Sequence, residues 1–403
     1  MVEITKAAAK NPPFPKNYSN EFLVLDKGEG VYLYDVDGKK YLDFGSGIAV
    51  NALGYGLKGP AEIAAKQMMK VTHVSNLYTT EPTLELAYKL TTAGNFAAVH
   101  FGNSGSEANE AAIKYARLYA KRTKGEGHHK ILSFNNAFHG RTLGALACTP
   151  TEKYQEPFGP LMEGTLSIPF NDTAALEKTL DESFAAVFVE PVQGEGGLEV
   201  ISPDFAEKLN ELCKKFDILL VADEVQTGMG RTGEFFASAG LGLTPDIITL
   251  AKPLAGGLPL SATLIPDRVN KLIKLGEHGT TFGGGPVTCA VACYMVDAIF
   301  HPVFLTKVKA KGEFLKSELE KLASEYSFLG KVKGTGLMQG VEVIGQDAEV
   351  LSGKIIKTGR DKGLLILRSG KSTLRILPPL VIEESEILEG ISILKKVFKE
   401  LKG

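Results

Sequence analysis

Hydrophobic positions near the start of the chain fall in short β-prone runs, Val31-Tyr-Leu-Tyr34 and Lys40-Tyr-Leu-Asp-Phe44. The turn signals Gly28-Glu-Gly30 and Asp37-Gly38 separate them. They predict an N-terminal arm and β-meander over residues 1–58. From about residue 60, apolar runs alternate with helical periods. Strands are predicted at 97–101, 130–134, 184–190, 218–222 and 246–250. Between them, 107–121 is Ala-rich and runs into basic residues that suit a helix C-terminus. Ser202-Pro203 opens another helix, with Phe205, Leu209, Leu212 and Phe216 on one face. Beyond Pro302 the pattern changes to a long helix reaching about Tyr326, strands at 337–343, 364–368 and 374–377, and a terminal helix from about Glu383. The expected fold class is α/β. A mostly parallel central sheet covered by helices should occupy 59–301, with 1–58 belonging to a smaller α+β domain that 302–403 completes. Polar residues recur where the apolar strands end, the edge at which open α/β sheets place ligands.

Composition narrows the function. Lys and Arg number 45 against 47 Asp and Glu, so no global basic field exists to hold nucleic acid or an anionic membrane. With 44% hydrophobic and 23% charged residues the chain has the make-up of a folded protein. Cys148, Cys213, Cys289 and Cys293 are irregularly spaced and predict neither a disulfide framework nor a zinc site; Cys289 and Cys293 read as packed apolar residues. Most of the seven histidines show no metal-ligand spacing, and no metal is expected. The N-terminus lacks the apolar core of a signal peptide, and the most apolar helical stretch, 287–300, is shorter than a membrane span. A cytoplasmic protein is expected.

Three groups of residues carry candidate chemistry. Asp223 and Lys252 each close an apolar strand, one strand–helix–strand unit apart. A charge in that position costs desolvation unless partnered. The pair reads either as a structural salt bridge or as an imine-forming lysine with a carboxylate that keeps a pyridinium nitrogen protonated. Ser104-Gly105-Ser106 enters a helix, and is either a plain Ser N-cap or a phosphate cradle of spare N–H groups. Phe138-His139-Gly140-Arg141 follows a strand and offers a ring for stacking and an arginine for a carboxylate.

Together these residues resemble the class III pyridoxal-phosphate aminotransferases of fold type I. The resemblance runs from Tyr18 to Leu380. Its motifs are Gly30-Val-Tyr-Leu-Tyr-Asp-Val-Asp-Gly38, Phe101-Gly-Asn-Ser-Gly-Ser-Glu-Ala-Asn-Glu110, Glu190-Pro-Val-Gln-Gly-Glu-Gly-Gly197, Ala222-Asp-Glu-Val-Gln-Thr-Gly-Met-Gly-Arg231, Ala251-Lys-Pro-Leu-Ala-Gly-Gly257 and His278-Gly-Thr-Thr-Phe-Gly-Gly284. The resemblance implies that Lys252 is the Schiff-base lysine and Asp223 the partner of the ring nitrogen. It implies Val225 and Phe138 on the two ring faces and Gln226 at the ring hydroxyl. Ser104, Gly105 and Ser106 are implied at the phosphate, with Thr281 reaching it from the second subunit of a homodimer. Arg375 is implied to bind the substrate α-carboxylate, Glu195 to screen that arginine, and Arg141 to take the distal carboxylate of glutamate and 2-oxoglutarate. Tyr18 and Glu190 are implied among the substrate-binding residues.

Within the family, Gly47-Ile-Ala-Val-Asn-Ala-Leu-Gly54 and Ser106-Glu-Ala-Asn-Glu-Ala-Ala-Ile-Lys114 are most similar to acetylornithine aminotransferases. The expected activity is therefore transfer of an ω-amino group from N-acetylornithine to 2-oxoglutarate. Ornithine, 4-aminobutyrate or succinyl-diaminopimelate as donors, an aminomutase, and a silent binding protein are the alternatives. Gly47, lacking a side chain, is expected to leave room for the acylamino group. Two positions depart from the family pattern: Tyr55 replaces the usual His, and Gly285 the usual Asn.

Overall fold

The computed structural model describes residues 14–17 and 22–402. Tyr18 lies outside the described residues. The N-terminal runs form β1 (Leu25–Glu29), β2 (Tyr32–Asp35) and β3 (Lys40–Asp43), an antiparallel meander. Gly28 and Glu29 belong to β1, so the chain reverses only from Gly30, which has a positive φ of 57°.

The central sheet contains β4 (Ala98–Gly102), β5 (Lys130–Phe134), β6 (Thr165–Ile168), β7 (Phe184–Val189), β8 (Leu219–Asp223), β9 (Ile247–Leu250) and β10 (Ser261–Ile265), in the order β4-β10-β9-β8-β7-β5-β6. All neighbouring pairs are parallel except those of β10, which runs antiparallel to both β4 and β9. The sequence pattern hides β10, because Ser261 and Thr263 interrupt its apolar run, although every residue of the strand is buried. Every residue of β7, β8 and β9 is buried as well, as expected of strands covered on both faces.

Helices cover this sheet. The principal ones preceding Pro302 are α1 (Lys58–Lys70), α2 (Glu81–Gly94), α3 (Gly105–Lys124), α4 (Leu143–Ala147), α5 (Pro203–Lys215) and α6 (Pro286–Ile299). The Ser104 side chain caps α3 by accepting from the Glu107 N–H, and the Ser202 side chain caps α5 by accepting from that of Phe205. Phe205, Leu209 and Leu212 are buried on α5 as their spacing predicts. All four cysteines are buried free thiols. No single described helix is long and apolar enough to cross a membrane. Only α6 with the following α7 (Pro302–Glu325) passes such a test, as a pair bent by 69°.

The C-terminal part adds β11 (Leu329–Thr335), β12 (Met338–Val343), α8 (Ala348–Asp361), β13 (Leu364–Leu365), β14 (Leu367–Ser369), β15 (Thr373–Ile376) and α9 (Glu384–Lys402). The single strand expected at 364–368 is in fact two. β13 pairs in parallel with β3 of the meander, whereas β14 pairs with β15 in the sheet β11-β12-β15-β14. One apolar run thus serves two sheets, and its break at the buried Ile366 marks where the chain passes from one to the other. Most of the buried side chains of α6, α7 and α9 share one core cluster with Leu42 and Phe44 of the meander and with Ile248, Leu250 and Ala262 of the central sheet.

Candidate active site

Five strands end at one edge of the central sheet, and each delivers polar residues to the same place. Ser104, Gly105 and Ser106 follow β4, Phe138 and His139 follow β5, and Glu190 follows β7 directly. Asp223 ends β8, and Lys252 lies two residues beyond β9. All of these, with Val225, Gln226 and Val50, line a cavity of about 380 Å³. A segment after a strand's C-terminal end leaves the hydrogen-bonded ladder at the sheet edge, so five separate motifs converge without any local signal for it.

Asp223 is 4% exposed, and its carboxylate is held on both oxygens. His139 Nδ1 and Asn109 Nδ2 lie 2.7 and 2.8 Å from Oδ2, and the Val225 N–H donates to Oδ1 at 3.1 Å. Asn109 in turn donates to the His139 carbonyl at 2.6 Å and accepts from Thr249 Oγ1 at 2.8 Å. Burial opposes a charge on His139, but the hydrogen bond and charge of Asp223 outweigh it and hold the imidazole above its ordinary value. His139 and Asn109 were not among the residues expected at the site. The available signal was Asn109 itself, a polar residue on the buried alanine face of α3, where an amide needs a partner.

Lys252 lies deep at the cavity wall, and burial pushes its amine below the ordinary lysine value, against the attraction of Asp223 and Glu195. No ion pair or hydrogen bond to a described residue holds that amine. Glu190 accepts from the Phe138 N–H at 3.0 Å and the Gly194 N–H at 3.2 Å, which ties the β5 and β7 loops together. Burial pushes its carboxyl upward.

Arg375 on β15 reaches the same edge from the other sheet. It is 3% exposed, and its Nη1 donates to Glu195 Oε1 at 2.6 Å, to the Gly194 carbonyl at 2.8 Å and to Gln226 Oε1 at 3.5 Å. Arg141 lies outside the cavity lining, exposed, with its guanidinium 3.6 Å from the Tyr154 ring centroid and 5.4 Å from that of Phe138. Thr281 sits on an exposed loop and does not line this cavity.

Gly47 does not line the cavity either. It belongs to a run of positive φ values, 49° at Ser46, 62° at Gly47, 61° at Ile48 and 65° at Ala49. Gly47 is exposed, and a Cβ there would meet Asn51 Nδ2 at 3.0 Å and Val50 Cβ at 3.8 Å. Val50 is the residue of this segment on the cavity wall. The two departures from the family pattern have local consequences. Tyr55 Oη donates to the buried Asp43 Oδ2 at 2.5 Å, and Gly285 starts α6 without a side-chain cap.

The donor set suits a planar phosphorylated pyridine. The first N–H groups of α3, at Gly105 and Ser106, have no intrahelical acceptor, and a helix N-terminus favours a phosphate. A Cβ on Gly105 would come within 2.7 Å of Val225 Cγ1, so only glycine lets these two walls approach. A fixed carboxylate and an amine with no partner among the described residues complete the arrangement.

Fold and site together define a pyridoxal-phosphate-dependent transferase. Residues 14–398 match the model of the class-III aminotransferases, and the chain belongs to that family. It is similar to the acetylornithine aminotransferase of Methanocaldococcus jannaschii, with 44% identity over 380 residues that cover 94% of each protein. Among solved structures it is similar to the ornithine aminotransferase of Toxoplasma gondii ME49, with a TM-score of 0.94, 30% identity and coverage of 99% of this chain and 96% of that one. It is also similar to the acetylornithine aminotransferase of Elizabethkingia anophelis, with a TM-score of 0.87, 33% identity and coverage of 98% of both chains.

Proposed function

We propose that the protein transfers the terminal amino group of N-acetylornithine to 2-oxoglutarate, giving N-acetylglutamate semialdehyde and glutamate. The observation that carries this reading is the contrast between two arginines: Arg375 already neutralised by Glu195, and Arg141 with no carboxylate partner among the described residues. Pyridoxal phosphate, when bound, supplies an electron sink that acidifies the carbon–hydrogen bond next to the reacting nitrogen.

The chain's own residues do the rest. Gly105 and Ser106 would receive the phosphate, Phe138 and Val225 would hold the two faces of the ring, and Gln226 would meet its hydroxyl. Asp223, fixed by His139 and Asn109, would keep the ring nitrogen protonated by charge attraction. Lys252 Nζ would hold the coenzyme through an imine and, once freed, would serve as the base for the proton on the amine-bearing carbon. Its lowered basicity keeps a larger fraction of the amine neutral for that task.

The two substrates differ next to the reacting carbon, where glutamate has a carboxylate and the ω-amine donor has none. Glu195 screens Arg375 when that carboxylate is missing, and releases it when the carboxylate is present. Arg141 receives the carboxylate distal to the reacting carbon. Thr281 serves the phosphate of a second copy in a two-fold dimer. The exposed apolar residues Met69, Leu77, Tyr78 and Phe282, on α1, the segment after it and the Thr281 loop, support such an interface. A cytoplasmic location belongs to the same reading, and cell fractionation tests it.

The deciding experiment is a panel of amine donors with 2-oxoglutarate as acceptor. N-acetylornithine should exceed ornithine and 4-aminobutyrate in kcat/KM by about one and a half to three powers of ten. A preference for either of those amines would refute the substrate and leave the coenzyme chemistry standing.

A further inference from the structure

Tyr154 matches no residue assigned above, yet it sits against Arg141 in a specific way. The Arg141 guanidinium carbon lies 3.6 Å from the Tyr154 ring centroid, close enough for face-to-face stacking. No hydrogen bond or ion pair to a described residue engages that guanidinium; the Arg141 backbone N–H donates to Ser106 Oγ at 3.1 Å. A stacked guanidinium keeps its N–H donors in its own plane and free at the edge, the geometry that a carboxylate needs for two parallel hydrogen bonds.

The platform under this stack is built. Gln155 Nε2 donates to the Leu146 and Thr149 carbonyls, both at 3.0 Å, and so ties the Tyr154 turn to the end of α4. Glu110 Oε1 accepts from the Gly144 and Ala145 N–H groups at 2.9 and 3.1 Å and anchors the start of α4, just beyond Arg141. Arg141 is therefore fixed at its backbone by Ser106, and at its side chain by a ring that is itself tied down.

We propose that Tyr154 is a positioning residue for the distal carboxylate: its ring holds Arg141 flat at the cavity mouth as a preset clamp, which favours a dicarboxylic 2-oxo acid over a monocarboxylic one. This rests on the reading of Arg141 given above. An unsupported arginine side chain would lose rotamer freedom on each binding event, and the ring removes part of that cost beforehand.

The test compares 2-oxoglutarate with pyruvate, which lacks the distal carboxylate, as acceptors for the holoenzyme. Tyr154→Leu should raise KM for 2-oxoglutarate about three- to tenfold and leave the pyruvate parameters within about twofold, as expected for loss of one cation–π contact. Tyr154→Phe keeps the ring and should restore the wild-type ratio. Arg141→Met serves as the control. If it leaves the 2-oxoglutarate KM unchanged, the reading of Arg141 fails and the inference falls with it. If Arg141→Met raises that KM but Tyr154→Leu does not, or if Tyr154→Leu impairs both acceptors equally, the inference alone is wrong.

Discussion

Replacing His100 with phenylalanine should make the protein less sensitive to acid. His100 lies on β4 with its ring stacked on that of His278, centroids 4.6 Å apart and planes 27° apart, and with Tyr115 edge-on at 5.8 Å. Lys114 Nζ lies 2.7 Å from His278 Nδ1. An ammonium only donates, so that ring nitrogen is the acceptor and His278 is neutral. Burial, reinforced by the neighbouring Lys114 charge, pushes His100 down from 6.5 to about 4.

Between those values the unfolded chain binds a proton that the native state refuses. This contribution to stability is therefore complete above about pH 6.5 and is lost as the pH falls towards 4. At about 1.36 kcal/mol per pH unit, the loss attributable to His100 is about 3 kcal/mol. Phenylalanine keeps a stacked ring and cannot be charged. Urea unfolding followed from pH 7 to about pH 4 should show the variant losing about 3 kcal/mol less than the wild type, because the carboxylates that also titrate are common to both. Identical slopes in the two proteins would refute the burial argument. The effect reaches the candidate site, because His278 and the bidentate Arg122–Glu277 pair anchor the loop that carries Thr281.

Three further outcomes follow from the site. Lys252→Ala should abolish turnover in a coupled glutamate assay; and because burial lowers the Lys252 amine, coenzyme uptake by the apoprotein should accelerate with pH and reach its plateau below the ordinary lysine value of 10.5. Glu195→Ala leaves Arg375 unscreened, so single-turnover measurements should show the ω-amine half-reaction slowed and the glutamate half-reaction spared; equal effects on both would disprove the switch. Asn109→Leu removes bonds to Asp223, His139 and Thr249 at once and leaves buried groups unpaired. It should lower unfolding free energy by about 3 kcal/mol or more and weaken coenzyme affinity, both readable by titration.

The sequence by itself determined what depends on near neighbours. The buried strands β7, β8 and β9 read directly as apolar runs. The α5 helix read from its Ser202 cap, Pro203 and apolar face, and the coenzyme class read from motifs whose residues lie within a few positions of one another. Side-chain periodicity and capping act over a turn or two, so they survive in a linear reading. What only the tertiary structure decided depends on the order of strands in the sheets. Asn109 meets Asp223 from 114 positions away, and Arg375 meets Glu195 from 180. The split of 364–368 between two sheets, and the antiparallel β10 inside an otherwise parallel sheet, have the same origin. Local pattern tells a strand that it is buried but not which neighbour buries it. The same limit applies at Gly47: the absence of a side chain was visible in the sequence, but the left-handed backbone of 46–49 was not.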